Sequence, residues 1–152
     1  MSINRTDVEE FVYETCLRLD EKDWKGFLEL CAEQFNYKVT AYAPEIRADM
    51  TWLDRDRGEV EEFIGMLPKH NTDPNPLTRH AQVWKVRVDG DRADVVSSLQ
   101  IYRTALNGGA TELFAVGKYF DTVALDGGRP RLLARHVKLD TRDLGWGTHL
   151  PL

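Results

Sequence analysis

The side chains best suited to hold a metal or move a proton are four histidines, His70, His80, His136 and His149, and two cysteines, Cys16 and Cys31. His80 and His136 each follow an arginine, in the strings Thr78-Arg79-His80 and Ala134-Arg135-His136. An iron site of the two-histidine, one-carboxylate kind would need both imidazoles and an Asp or Glu to converge, with coordination positions left open. No local spacing produces that convergence, and a strand histidine without a matched carboxylate motif is expected to be a hydrogen-bonded structural residue. In a strand, neighbouring side chains point to opposite faces, so each Arg-His pair must divide between the two sides of a sheet. The pattern leaves open which member goes inside. His70 lies in a Pro-rich loop and His149 near the end of the sequence, and neither completes a ligand set.

Other chemistries find less support. Cys16 and Cys31 fall in segments that look helical and outside any CxxC or Cys/His spacing, so they are expected to be small buried hydrophobes rather than zinc ligands or a disulfide. There is no GxSxG, and Ser97 and Ser98 sit in mid-strand rather than on a strained turn. The glycines of Asn107-Gly108-Gly109 and Asp126-Gly127-Gly128 lie between strand-like runs, with no following helix to offer its N-terminus to a phosphate.

With 152 residues, 42% of them hydrophobic, the chain can build one core, and a single domain over residues 1–152 is expected. A net charge of -5 gives no basic excess for nucleic acid. The opening MSINRTDVEEF lacks the features of an export signal and no apolar run reaches membrane-spanning length, so no membrane partner and a cytoplasmic location are expected.

The elements that must position these residues follow from periodicity. Val8, Phe11, Val12, Thr15, Cys16 and Leu19 recur at helical spacing, and Trp24, Phe27, Leu28, Leu30 and Cys31 repeat it after a polar break, which predicts two helices packed as a hairpin. Residues 36–43 turn β-branched and aromatic before Pro44 and read as a strand; EVEEFIGML, 59–67, reads as a third helix ended by Pro68. Four strands are then expected at about 77–89, 93–105, 111–124 and 131–140, joined by turns rich in Asp, Asn and Gly. Helices first and hairpins afterwards indicate an α+β fold, with the helices covering one face of a curved, mainly antiparallel sheet. The run LDRDRGEVEE, 53–62, reads as a charged loop entering the third helix. Trp52, Trp84 and Trp146 are the large aromatics able to mark partner contacts, although Trp84 in a strand fits a core position equally well.

Several strings together resemble one family. LDRDRGEVEEFIGML is similar to an acidic-basic lead into a third helix, PLTRHAQVWKV to a Pro-x-x-Arg-His strand opening, LQIYRT with LFAVGKYFDTVAL to a strand pair, and RLLARHVKLDTRDL to a last strand. These are features of the small (beta) subunits of Rieske-type aromatic-ring-hydroxylating dioxygenases, cone-shaped members of the NTF2-like superfamily. The resemblance implies a non-catalytic structural subunit in an assembly of three alpha and three beta chains, with beta-beta contacts in a trimeric layer. It places the Rieske [2Fe-2S] cluster and the mononuclear iron in the alpha subunit and no cofactor in this chain, which has no paired Cys and His spacing for such a cluster. It also suggests an aromatic acid such as benzoate, salicylate or terephthalate as substrate.

On this reading no residue is catalytic or metal-binding. The expected subunit-interface residues are Trp52, Arg55, Arg57, Arg79, His80, Trp146 and His149, and deletion of 144–152 is expected to weaken assembly while leaving the cone folded. The alternative is a stand-alone isomerase or dehydratase, or a small-ligand-binding protein, on the same fold. The resemblance to ketosteroid isomerases would put Thr15 where a Tyr oxyanion donor is needed and Val39 where an Asp base is needed, leaving Tyr13 and Asp49 as the nearby substitutes.

Overall fold

Asn4 opens the first helix by accepting a hydrogen bond from the Asp7 backbone N–H at 2.9 Å, satisfying a donor that has no partner within the helix. The computed structural model describes residues 2–67, 74–144 and 151–152. Helix α1, Arg5–Asp20, buries Val8, Phe11, Val12, Thr15, Cys16 and Leu19 along one stripe, at the spacing that predicted it. Asp23 caps the short α2, Trp24–Leu30, through the Gly26 N–H.

Strand β1, Cys31–Ala43, begins directly at the end of α2, so Cys31 belongs to a strand rather than to the helix expected for it. Its first residues pair irregularly, with a register shift between Cys31 and Asn36. That irregularity breaks the alternation a sequence pattern relies on. Phe35 nevertheless packs edge-on against Phe27 at 6.3 Å between ring centroids, which fastens α2 to the strand.

A second departure concerns residues 48–56, where the structure has a strand, β2 (Ala48–Asp56), paired antiparallel with β1. The part of the charged run up to Asp56 is therefore sheet, not loop. β2 is an edge strand and mostly exposed, and edge strands carry charge to prevent further pairing, so its composition conceals its conformation. Helix α3, Arg57–Met66, starts with a capping box in which Asp56 accepts from the Glu59 N–H and Glu59 accepts from the Asp56 N–H.

β3 (Leu77–Asp89), β4 (Arg92–Thr104), β5 (Thr111–Asp126) and β6 (Arg129–Leu139) form the expected antiparallel meander. The sheet order is β2-β1-β6-β5-β4-β3, and β1 joins the meander by pairing parallel to β6. One face is closed by α1, and the buried residues of β4 (Ala93, Val95, Leu99, Ile101) and of β5 (Ala115, Tyr119, Val123) share its hydrophobic cluster. Gly117 belongs to this inner row; a Cβ there would run into the Lys138 backbone carbonyl, so the close approach of β5 and β6 needs glycine. In β3 the register shifts between Val83 and Lys85, leaving Trp84 as the extra residue of a bulge. Among the described residues, no helix is long and apolar enough to cross a membrane.

Candidate functional site

Alternation divides both Arg-His pairs in the same sense. Arg79 and Arg135 point into the cone, 6% and 1% exposed, while His80 and His136 lie on the other face. Arg135 meets Asp121 in a bidentate contact, Nε to Oδ1 at 2.9 Å and Nη2 to Oδ2 at 3.0 Å, and both side chains are shielded from solvent. Nη2 also donates to Thr15 Oγ1 at 2.8 Å, and the Thr15 hydroxyl donates to the Val12 carbonyl. The guanidinium lies 3.9 Å from the centre of the Tyr119 ring. Burial alone would push the Arg135 proton off, but the adjoining Asp121 carboxylate outweighs it and holds the pKa above the ordinary value. Burial drives the Tyr119 hydroxyl far upward, so it stays neutral.

Arg79 is held by Asp20 at the end of α1, through Nη1 at 2.8 Å and through its own backbone N–H. Its Nη2 donates to the Pro151 carbonyl at 2.6 Å. Tyr37, whose pKa burial pushes up to about 12, accepts from the Leu152 N–H at 2.8 Å. The interior is therefore occupied by paired charges, neutral phenols and the end of the chain.

His80 and His136 do not converge, and His70 and His149 lie outside the described residues. His80 is exposed and sits edge-on to Tyr102, and His136 bonds Thr40 Oγ1 at 2.7 Å and leans on Phe120. β4 and β5 lie between them, and their rows meet β5 at Val116 and Phe120 respectively, about 13 Å apart along that strand. Burial, with Lys38 and Lys138 nearby, pushes the His136 pKa below its ordinary value. Among the described residues no group of three or more His, Cys, Asp or Glu gathers in metal-binding geometry. Cys16 and Cys31 are free buried thiols raised by that burial, Cys31 to about 12.

The groups needed for cone-pocket acid-base work are equally scattered. Thr15 is committed to Arg135 and Val12, and Val39 is fully buried. The Tyr13 hydroxyl accepts from the Val83 N–H, whereas Asp49 lines an outer cleft of about 380 Å³ with Thr40, Tyr42, Lys118 and Phe120. Tyr13 and Asp49 therefore serve no common site.

The residues expected at interfaces fall into distinct settings. Arg79 does not reach the surface of the chain, because its strand parity and Asp20 draw it inward. Arg57 ties α3 to α2 by donating to the Leu28 carbonyl, Trp52 packs partly against the core, and Arg55 and His80 are exposed. Trp146 and His149, and most of the 144–152 tail, lie outside the described residues. Sequence reasoning overlooked Asp121 and Asp20, the partners of the buried arginines. For Asp121 a signal existed: it is the lone charge at inward parity between Tyr119 and Val123. It also overlooked Phe120 and Tyr42, which with Trp84 leave aromatic surface on the outer face, at 37%, 53% and 56% exposure. Lys138 lies over the Phe120 ring and Lys118 over Trp84.

The chain is 38% identical to the hydroxylase beta subunit of methanesulfonate monooxygenase from Methylosulfonomonas methylovora, covering 95% of this chain and 85% of that one. It is 29% identical to the beta subunit of 2-aminobenzenesulfonate 2,3-dioxygenase from an Alcaligenes species, over 99% of this chain and all, 100%, of the relative. In fold it matches the crystal structure of the benzoate 1,2-dioxygenase beta subunit from Burkholderia mallei, with a TM-score of 0.73, 14% identity and 99% of each chain covered. The family described as ring hydroxylating beta subunit matches residues 16–145. The chain therefore belongs to the ring hydroxylating beta subunits, and it shares the NTF2-like fold of its structural neighbours.

Proposed function

We propose that this subunit forms a trimeric layer with two further copies and supports three alpha subunits in a cytoplasmic terminal oxygenase that oxidises a small organic acid. The observation that carries this reading is the Arg135-Asp121 pair, which with Tyr119 and Thr15 fills the interior volume that a cone-pocket enzyme would give to its substrate. What the chain offers a partner is the outer sheet face with Tyr42, Trp84 and Phe120, a concentration of aromatic surface typical of protein contacts. The monooxygenase and dioxygenase beta subunits it resembles both take their names from sulfonates. The substrate class is therefore an organic sulfonate or a carboxylate of similar shape, selected by the alpha subunit.

The test is the native mass and iron content of the species recovered when the tagged chain is purified from its own cells. A large iron-containing complex with a second, longer polypeptide is expected, with oxygen uptake on methanesulfonate, 2-aminobenzenesulfonate or benzoate. A small iron-free oligomer would overturn the assembly, and an intact complex silent on all three acids would overturn the substrate class.

A further inference from the structure

Leu152 is fully buried, 0% exposed, and its side chain joins the hydrophobic core cluster. The peptide unit linking it to Pro151 is bound on both sides by side chains: Arg79 Nη2 donates to its carbonyl at 2.6 Å, and the Tyr37 hydroxyl oxygen accepts from its N–H at 2.8 Å. In a trans peptide these two groups point in opposite directions. One donor on β3 and one acceptor on β1 therefore satisfy both polar groups of a single amide, a task that a backbone ladder usually performs. Both side chains are held in place, Arg79 by Asp20 and Tyr37 by its burial in the core. Leaving that peptide group buried without them would cost several times what the two bonds return in water.

We propose that the cone contains an amide-binding site, made by Tyr37 and Arg79, whose resident ligand is the Pro151-Leu152 peptide of the same chain. The ligand class is a secondary amide bearing a branched apolar side chain on the nitrogen side. The site uses residues of the inner face only, so it stands or falls independently of the assembly through the outer face. It also bears on the expected effect of removing residues 144–152: the loss reaches the cone itself and is not confined to partner contacts.

Amide exchange of the 152-residue chain, labelled with 15N-leucine, tests the site directly. The Leu152 N–H is expected to exchange about a hundredfold more slowly than in a free peptide of residues 143–152. Tyr37→Phe, which keeps the ring and removes the acceptor, is expected to speed that exchange by about tenfold while the Leu99 amide in β4 is unchanged. Exchange of Leu152 at the free-peptide rate, or an unchanged rate in Tyr37→Phe, overturns the proposal. A chain ending at residue 150 is expected to gain Tm on addition of N-acetyl-prolyl-leucinamide, and to lose that response with Tyr37→Phe; a folded truncated chain whose Tm does not move overturns the ligand class. Should the truncated chain fail to fold, the exchange rates decide alone.

Discussion

On the inner face of β6, Arg135 is enclosed by Asp121, Thr15 and the Tyr119 ring, whereas one residue later, on the outer face, His136 has Thr40 for a hydrogen bond and Phe120 beside it and is only partly buried. The same contrast repeats on β3 between Arg79, bound to Asp20 and Pro151, and exposed His80. A charge taken inside must be matched by a carboxylate and by further hydrogen bonds, and those partners take up the space that an active site would need. A charge or ring left outside needs no such partner. The inner face therefore determines whether the cone stands, and the outer face is available for association.

The largest effect should come from dividing the inner pair. Arg135→Met strands the buried Asp121 carboxylate and is expected to cost about 3–5 kcal/mol in denaturant unfolding. Adding Asp121→Leu should recover most of that loss; a double variant no better than the single would mean that the pair is not what orders this face. Gly117→Ala, whose new methyl meets the Lys138 carbonyl, is expected to cost about 1–3 kcal/mol, and a neutral result would show that β5 and β6 approach less closely than described.

The outer face should respond more weakly. His136 has a folded pKa below the ordinary histidine value, so the unfolded chain binds its proton more readily. Its contribution to stability is then present above about pH 6.5 and is lost as pH falls toward the folded pKa. His136→Gln should flatten that slope, and a slope of the opposite sign would place the histidine in an acidic setting. Smallest of all, Trp84→Ser combined with Phe120→Ser should alter the stability of the isolated chain by no more than about 0.5 kcal/mol. The same double variant should sharply lower recovery of the alpha partner in co-purification. A marked loss of stability with undiminished recovery would reverse the roles assigned to the two faces.

Local pattern carried much of the architecture. The α1 stripe, the four-strand meander and the turns at Gly90, Gly108 and Gly127 with positive φ all follow from short-range periodicity and residue type. The Asp-x-x-Glu signature at Asp56 and Glu59 is equally local but went unread, and it starts α3 at Arg57, two residues before the Glu59 that periodicity suggested. β2 was illegible because an exposed edge strand has no buried alternation to display. The bulge at Trp84 hid a reversal of parity: Val83 faces inward opposite Ser97, and beyond the extra residue Val86 faces inward opposite Val95.

The sequence by itself determined that each Arg-His pair would be split across a sheet, because a strand allows its side chains no other arrangement. It also determined, through the strings shared with its family, that the chain is an oxygenase beta subunit. Only the tertiary structure decided that both arginines go inside. That outcome depends on Asp121, Asp20 and the Pro151 carbonyl, which meet Arg135 and Arg79 through strand register and helix packing rather than through spacing along the chain. The parallel pairing of β1 with β6 and the return of Leu152 into the cone are likewise long-range closures, set by which surfaces can be buried together and invisible to any local pattern.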